Sequence, residues 1–339
     1  MVDQITPVPD WPGALAALSI GEVFVRTVTP ETVTPEIGTP KAPKGAADAA
    51  SAVYVHGLGG SARNWTDLMD LLSRPGPRPG DLVIAGEAID LPGFGFSPKP
   101  PDGDYSLDAR AAAVAALIDA RGYWPVHLVG NSLGGAVCTR LAARRPDLVR
   151  TLTLISPALP DLRPRVGPLR VAMMGVPGLG RWVLDRLAAF PPEQRTAATI
   201  AELYADPRLM HPERYQQEIA EVVRRDGLGY QSEVLLASTR AIVCEYLRGG
   251  AGSLWRDAAR LTAPTLVIHG SQDRLVRPAT GARAARVFRS ASAVVLPETG
   301  HVAMMERPAA VARLMREFFS TGHVLADPDR SGLLSPLPG

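Results

Sequence analysis

From residue 51 onward, short apolar runs alternate with longer stretches in which apolar residues recur every three or four positions. Runs at 51–55, 82–89, 126–130, 150–155, 264–269 and 293–296 are rich in Val, Ile and Leu and end in Gly, Pro or polar residues. That pattern predicts strands buried on both faces. Helical spacing predicts helices at 62–73, 106–121, 134–145, 279–288 and 308–319. An alternating run at Glu22–Thr27 predicts one further, early strand. Strand and helix in alternation predict the α/β class, a mostly parallel sheet with helices on both faces.

Between Ile155 and Pro264 the strand pattern stops. The spacing there predicts helices near 168–175, 179–189, 193–205, 212–226 and 230–248, an all-helical insertion after the sixth strand. Residues 1–50 read as a lead with early strands, including one helical turn near Pro12 to Leu18. Within it, 28–50 carries Pro30, Pro35, Pro40 and Pro43 and no periodicity, as expected of a loose loop. Residues 51–156 and 262–320 then form the α/β core and 157–261 the helical insertion. Residues 321–339, with scattered Pro, Gly, Ser and Asp, read as a frayed tail.

Chemistry enters at Gly130-Asn131-Ser132-Leu133-Gly134, where a predicted strand turns into a predicted helix. G-x-S-x-G in that setting is a nucleophile elbow, its serine held in a strained turn and its glycines leaving room for close backbone approach. Alone, the pattern also fits an ordinary glycine-rich turn with an incidental serine. A serine hydroxyl needs a base, and the base needs an orienting acid. Asp273 and His301 follow in the order the elbow predicts, each just past a predicted strand. That is the edge at which open α/β sheets bind ligands. An oxyanion hole needs backbone N–H donors. Leu133 N–H, next to the serine, is one candidate, and Leu58 N–H, in His56-Gly57-Leu58-Gly59-Gly60 after the 51–55 strand, is the other, with Gly59 N–H as the alternative to it.

HGLGG at 56–60, DLPGFGFS at 90–97, GNSLGG at 130–135, GSQDRLV at 270–276 and TGHVAMMERP at 299–308 occur in that order. With these segments the chain resembles the α/β-hydrolase family from about Val23 to Ser320. The resemblance implies Ser132 as nucleophile, Asp273 as acid, His301 as base, and Leu58 with Leu133 as oxyanion donors. It also implies that 157–261 is a cap over the nucleophile, with a dimer surface as a compatible second role. Asp90 is expected to anchor its loop, and His56 to be structural rather than a base. His127, His211, His269 and His323 gain no role.

The activity expected is hydrolysis of a carboxylic ester with an apolar acyl or alcohol group, through an acyl-enzyme on Ser132. Carbon–carbon bond hydrolysis of the ring-cleavage type is the alternative enzyme reading, since those enzymes share GNSxGG. HGLGG lacks the proline usual in their loop. A hydrolase-fold receptor for a small ligand is the non-enzymatic alternative. Val171 to Leu179, with Met304 and Met305, suggests a greasy, adaptable pocket, although core packing explains any single methionine slightly better. Trp65, Trp182 and Trp255 are further candidates to line it, Trp65 with the added expectation of packing under HGLGG.

Composition narrows the partners. Among 339 residues, 46% hydrophobic and 21% charged content fits a globular protein, and a net charge of +2 gives no nucleic-acid footprint. No apolar run reaches the roughly 18 residues of a membrane span, and no basic leader precedes an apolar stretch. The cytoplasm is the expected location, with Cys138 and Cys244 reduced and buried. No phosphate cradle, zinc spacing or dinucleotide fingerprint is present, so no cofactor and no metal are expected.

Overall fold

The structure, a computed structural model, describes residues 6–29, 50–78, 81–122, 125–161, 173, 176 and 178–324. Its sheet is built from β1 (Gly13–Leu18), β2 (Gly21–Val28), β3 (Ala50–Val55), β4 (Ile84–Ile89), β5 (Val126–Asn131), β6 (Val149–Ile155), β7 (Thr265–Gly270) and β8 (Ala291–Leu296). The spatial order is β1-β2-β4-β3-β5-β6-β7-β8. β1 and β2 pair antiparallel with each other, as do β2 and β4, and every other neighbouring pair is parallel. Chain order reverses about β3, which is where such sheets open a crevice at their carboxyl ends.

Every residue of β5 and of β7 is buried, which explains their unbroken apolar reading. Val53, Val55, Leu128, Leu154 and Val267 face one core, shared with α2 (Leu107–Arg121), α3 (Leu133–Arg144) and α8 (Leu254–Arg260). Tyr54, Val129, Ile155, Leu266 and Ile268 face the other, shared with α1 (Thr66–Ser73) and α11 (Pro308–Thr321). Period-two alternation thus divides each strand between two apolar layers. A further helix, α9 (Ala279–Val287), packs on β7 and β8, and the short α10 (Ala303–Glu306) precedes α11.

Between β6 and β7 lie α4 (Leu179–Ala188), α5 (Pro192–Leu203), α6 (Pro212–Asp226) and α7 (Gln231–Leu247). These match the helices expected at 179–189, 193–205, 212–226 and 230–248. The helix expected at 168–175 falls outside the described residues apart from Met173, as do most of the 28–50 loop and the tail beyond Val324.

Beyond the single turn of α10, which the sequence reading also lacks, two elements differ from that reading. Residues 13–18 form β1 rather than a helical turn: GALAAL favours helix locally, but its backbone pairs with β2 from Gly13↔Arg26 to Leu18↔Gly21. Gly21 closes that hairpin at φ +117°, and the ladder overrides a propensity of a few tenths of a kcal/mol per residue. The other difference is α8, which short length hides from periodicity. Ser253 caps it by accepting from Arg256 N, and Leu254 and Ala258 bury against α3.

Candidate active site

Ser132 joins β5 to α3 at φ 52° and ψ −115°. A non-glycine residue there stores about 1–3 kcal/mol of strain and persists only when its surroundings hold it. Ser132 N–H donates to Ile155 O at 3.1 Å, while Ser132 O accepts from Ala136 N at 3.1 Å and Ala158 N at 2.9 Å. The flanking glycines are needed for clearance. A Cβ on Gly130 would lie 2.5 Å from Gly134 O, and one on Gly134 would lie 2.1 Å from Val55 O. Among the described residues the other non-glycine positive φ values are at Ser156 (45°) and Glu298 (49°). These follow β6 and β8, so the strain gathers at the carboxyl edge of the sheet.

At that edge His301 Nδ1 lies 2.9 Å from Asp273 Oδ2 and 3.1 Å from Oδ1. Both side chains are buried. Burial alone would raise the Asp273 pKa. The charge and hydrogen bond of His301, Val276 N–H and the Ser156 hydroxyl outweigh it and hold the carboxyl down at about 2. An ionised acceptor at Nδ1 keeps the proton on that nitrogen and leaves Nε2 free to accept one. Asp273 Oδ1 also accepts from Leu275 N at 2.8 Å and Val276 N at 2.9 Å, which fixes the carboxylate. Asn131 Nδ2, next to the serine, donates to His301 O at 3.2 Å and Ile155 O at 3.0 Å. That amide stitches the elbow to the histidine loop.

The HGLGG loop passes beside the serine: a Cβ on Gly57 would lie 3.1 Å from Ser132 Cβ. His56 shapes this loop. Leu91 N donates to its Nε2 at 2.9 Å, so Nδ1 carries the proton and donates to Gly57 O at 2.7 Å. Burial pushes its pKa down to about 3, which keeps the ring neutral. Gly57 O also accepts from Gly60 N at 3.1 Å. That carbonyl belongs to the peptide carrying Leu58 N–H, so both bonds orient the peptide and polarise its N–H. Leu133 is buried at the first position of α3, and Leu58 is half-buried.

Asp90 anchors the neighbouring loops by accepting from Ala62 N at 2.6 Å and Phe96 N at 2.8 Å. Burial lifts its pKa to about 6 against those bonds. Among the described residues, no group of three His, Cys, Asp or Glu side chains could hold a metal ion. No described helix is long and apolar enough to cross a membrane.

Other sequence candidates fall elsewhere. Met304 is buried in the α1–α11 core, and half-buried Met305 Sδ accepts from Asn64 Nδ2 at 3.4 Å. Trp65 is buried against Tyr54, Trp255 Nε1 donates to Pro160 O at 2.7 Å, and Trp182 is 57% exposed. Cys138 is free and buried, but Cys244 is free and exposed, contrary to expectation. It falls off the line of Val234, Ser238 and Glu245 by which α7 packs inward. Sequence reasoning missed Ser156 and Glu306. Ser156 offered no signal, while Glu306 stood unread inside TGHVAMMERP.

Comparison with known proteins agrees with this architecture. The profile of the alpha/beta hydrolase fold family matches residues 53–308. The dihydrolipoyllysine-residue acetyltransferase component of the acetoin cleaving system of Pseudomonas putida is 30% identical over 81% of this chain, which spans 64% of its length. The 2-hydroxymuconate semialdehyde hydrolase of Pseudomonas putida is 28% identical over 70% of this chain and 78% of its own. Esterase Rv0045c of Mycobacterium tuberculosis (strain ATCC 25618 / H37Rv) is 26% identical over 94% of this chain and 98% of its own. The chain therefore belongs to the alpha/beta hydrolase fold family.

Proposed function

We propose that the protein is a serine hydrolase of carboxylic esters, with Ser132 as nucleophile, His301 as base and Asp273 as its orienting acid. The observation that carries this reading is the buried Asp273–His301 pair at 2.9 Å on the edge where the strained Ser132 turns into α3. A binding module has no need of an ionised carboxylate aligned on an imidazole beside a strained serine. Ser132 Oγ attacks the ester carbonyl as His301 Nε2 takes its proton. Leu58 and Leu133 N–H stabilise the tetrahedral oxyanion. Collapse expels the alcohol, protonated by His301, and leaves an acyl-Ser132. Water, deprotonated by His301, then attacks the acyl carbon and releases the acid.

Residues 157–261 act in this reading as a cap that excludes water and shapes an apolar acyl pocket. Support comes from α6, whose Arg225 donates to Gly59 O at 2.7 Å and whose Arg224 donates to Gly95 O at 2.7 Å. Those contacts tie the helix to the HGLGG loop, which passes beside Ser132, and to the loop of Asp90, as a cap would require.

Carbon–carbon bond hydrolysis is the second reading, favoured by the 28% identity to 2-hydroxymuconate semialdehyde hydrolase. p-Nitrophenyl esters from acetate to palmitate separate the two. The ester reading predicts turnover that peaks at one chain length and vanishes in Ser132→Ala. Silence across the series, with turnover of a ring-cleavage dienoate, overturns it in favour of the second.

A further inference from the structure

The residues around Asp273 and His301 grip one stretch of backbone at the end of α5. His301 N–H donates to Leu203 O at 2.7 Å. Arg274, next to the acid, donates to Ala201 O and to Tyr204 O. Glu306, five residues beyond the base and only 5% exposed, accepts from Gly300 N at 2.6 Å, Ala205 N at 3.0 Å and Asp206 N at 3.2 Å. One carboxylate oxygen thus holds the histidine loop and the other holds the helical insertion. Gly300 has no room to spare, since a Cβ there would lie 2.3 Å from Leu203 O and 2.6 Å from Ala205 N.

We propose that Glu306 is a positioning residue that fixes His301 through residues 201–206, so that the insertion sets the alignment of the base. A carboxylate suits this place because all three partners are N–H donors and its two oxygens accept on opposite sides. Glutamine has the same shape but presents N–H₂ on one side, where it opposes a backbone donor. Either the Gly300 bond or the Ala205–Asp206 pair is then lost. The ester-hydrolase reading underlies the kinetic test. Displacement of a base by about 1 Å lowers turnover by about a hundredfold while substrate binding is spared.

The experiment measures kcat, KM, fluorophosphonate labelling rate and melting temperature for wild type, Glu306→Gln and Gly300→Ala. Gly300→Ala pushes on the same stretch without altering a charged group. In both variants kcat and labelling rate should fall by about ten- to a hundredfold, with KM within about threefold and cooperative melting retained. The downfield proton resonance of His301 Nδ1–H should broaden or shift in both, a readout independent of turnover. Wild-type kcat and an unmoved resonance in Glu306→Gln overturn the proposal. So does a loss that only tracks the unfolded fraction, with folded protein labelling at the wild-type rate. A wild-type protein that neither labels nor turns over any ester removes the hydrolase reading, and the resonance then decides the positioning role alone.

Discussion

The sheet body and the helices inserted between β6 and β7 bury different chemistry. In the body, β5 and β7 are buried throughout and two apolar cores fill both faces of the sheet. In the insertion, α5 and α7 join those cores through Ile200 and Val234, but the only buried side chains of α6 are Arg214 and Glu221, and α4 buries only Gly180. α6 meets the body through directional polar contacts. Arg214 pairs with Asp67 at 2.5 Å, Arg63 donates to Gln217 O at 3.3 Å, and Arg225 reaches Gly59 O. Apolar burial is non-directional and is undone only as a whole, whereas each such bond contributes about 0.5–1.5 kcal/mol and opens by itself. The body is therefore built to hold Ser132, Asp273 and His301 still. α6 is tied to the loops of the body by bonds that open one at a time.

The largest effect expected belongs to the body's site. Ser132→Ala should lower kcat by about a millionfold, read by ester turnover, with the melting temperature held. Retention of a tenth of the activity would show that the strained turn is architecture alone.

Next comes a place where the comparison reverses. Arg140 of α3 is fully buried and pairs with Glu245 of α7 at 2.8 Å and Asp257 of α8 at 2.5 Å. Removing one partner strands buried carboxylates, so Arg140→Ala should destabilise by about 3–5 kcal/mol in urea unfolding. A loss below about 1 kcal/mol would mean that the end of α7 is as loosely held as α6.

Acid should weaken the body ahead of its carboxylates. His56, His127 and His269 are buried, and burial lowers their pKa from 6.5 to about 3, 4 and 4. The unfolded chain then binds more protons than the folded one below pH 6.5. The stability they contribute is full above 6.5 and is lost as pH falls toward 4. Asp90 opposes this, because its raised pKa of about 6 makes the folded state take up a proton as pH falls from about 6 toward 3.8. Asp70, Glu218, Asp257 and Glu306, raised by burial as well, oppose it too, and the three histidines should still leave a net fall in melting temperature between pH 6.5 and 4.5. A flat profile would show those imidazoles to be hydrated. Asp273 acts lower, its contribution lost between about 4 and 2.

The smallest effect tests the seam itself. Arg225→Ala should change stability by only about 0.5–1.5 kcal/mol. Ester chain-length preference should shift more than stability does, because the contact sits on the loop beside Ser132.

The same contrast explains what the sequence made legible. Period-two and period-three-to-four patterning arises from apolar layers, so the body's strands and helices were readable, as were α4 to α7. The strained turn at Ser132 and the contact between Asp273 and His301 were readable because the chemistry expected of them asks for particular residue types past particular strands. β1 was not, because GALAAL becomes a strand only by pairing with β2. Glu306 was not, because its three partners are backbone N–H groups, two of them about a hundred residues away, and backbone donors leave no mark on sequence.

The most direct test of the central claim is fluorophosphonate labelling of the whole chain, followed by peptide mapping. An activated Ser132 predicts one adduct, on the peptide containing Gly130 to Gly134, absent from Ser132→Ala and strongly slowed in Asp273→Asn. Wild-type protein that stays unlabelled, or an adduct that survives Ser132→Ala, would contradict it.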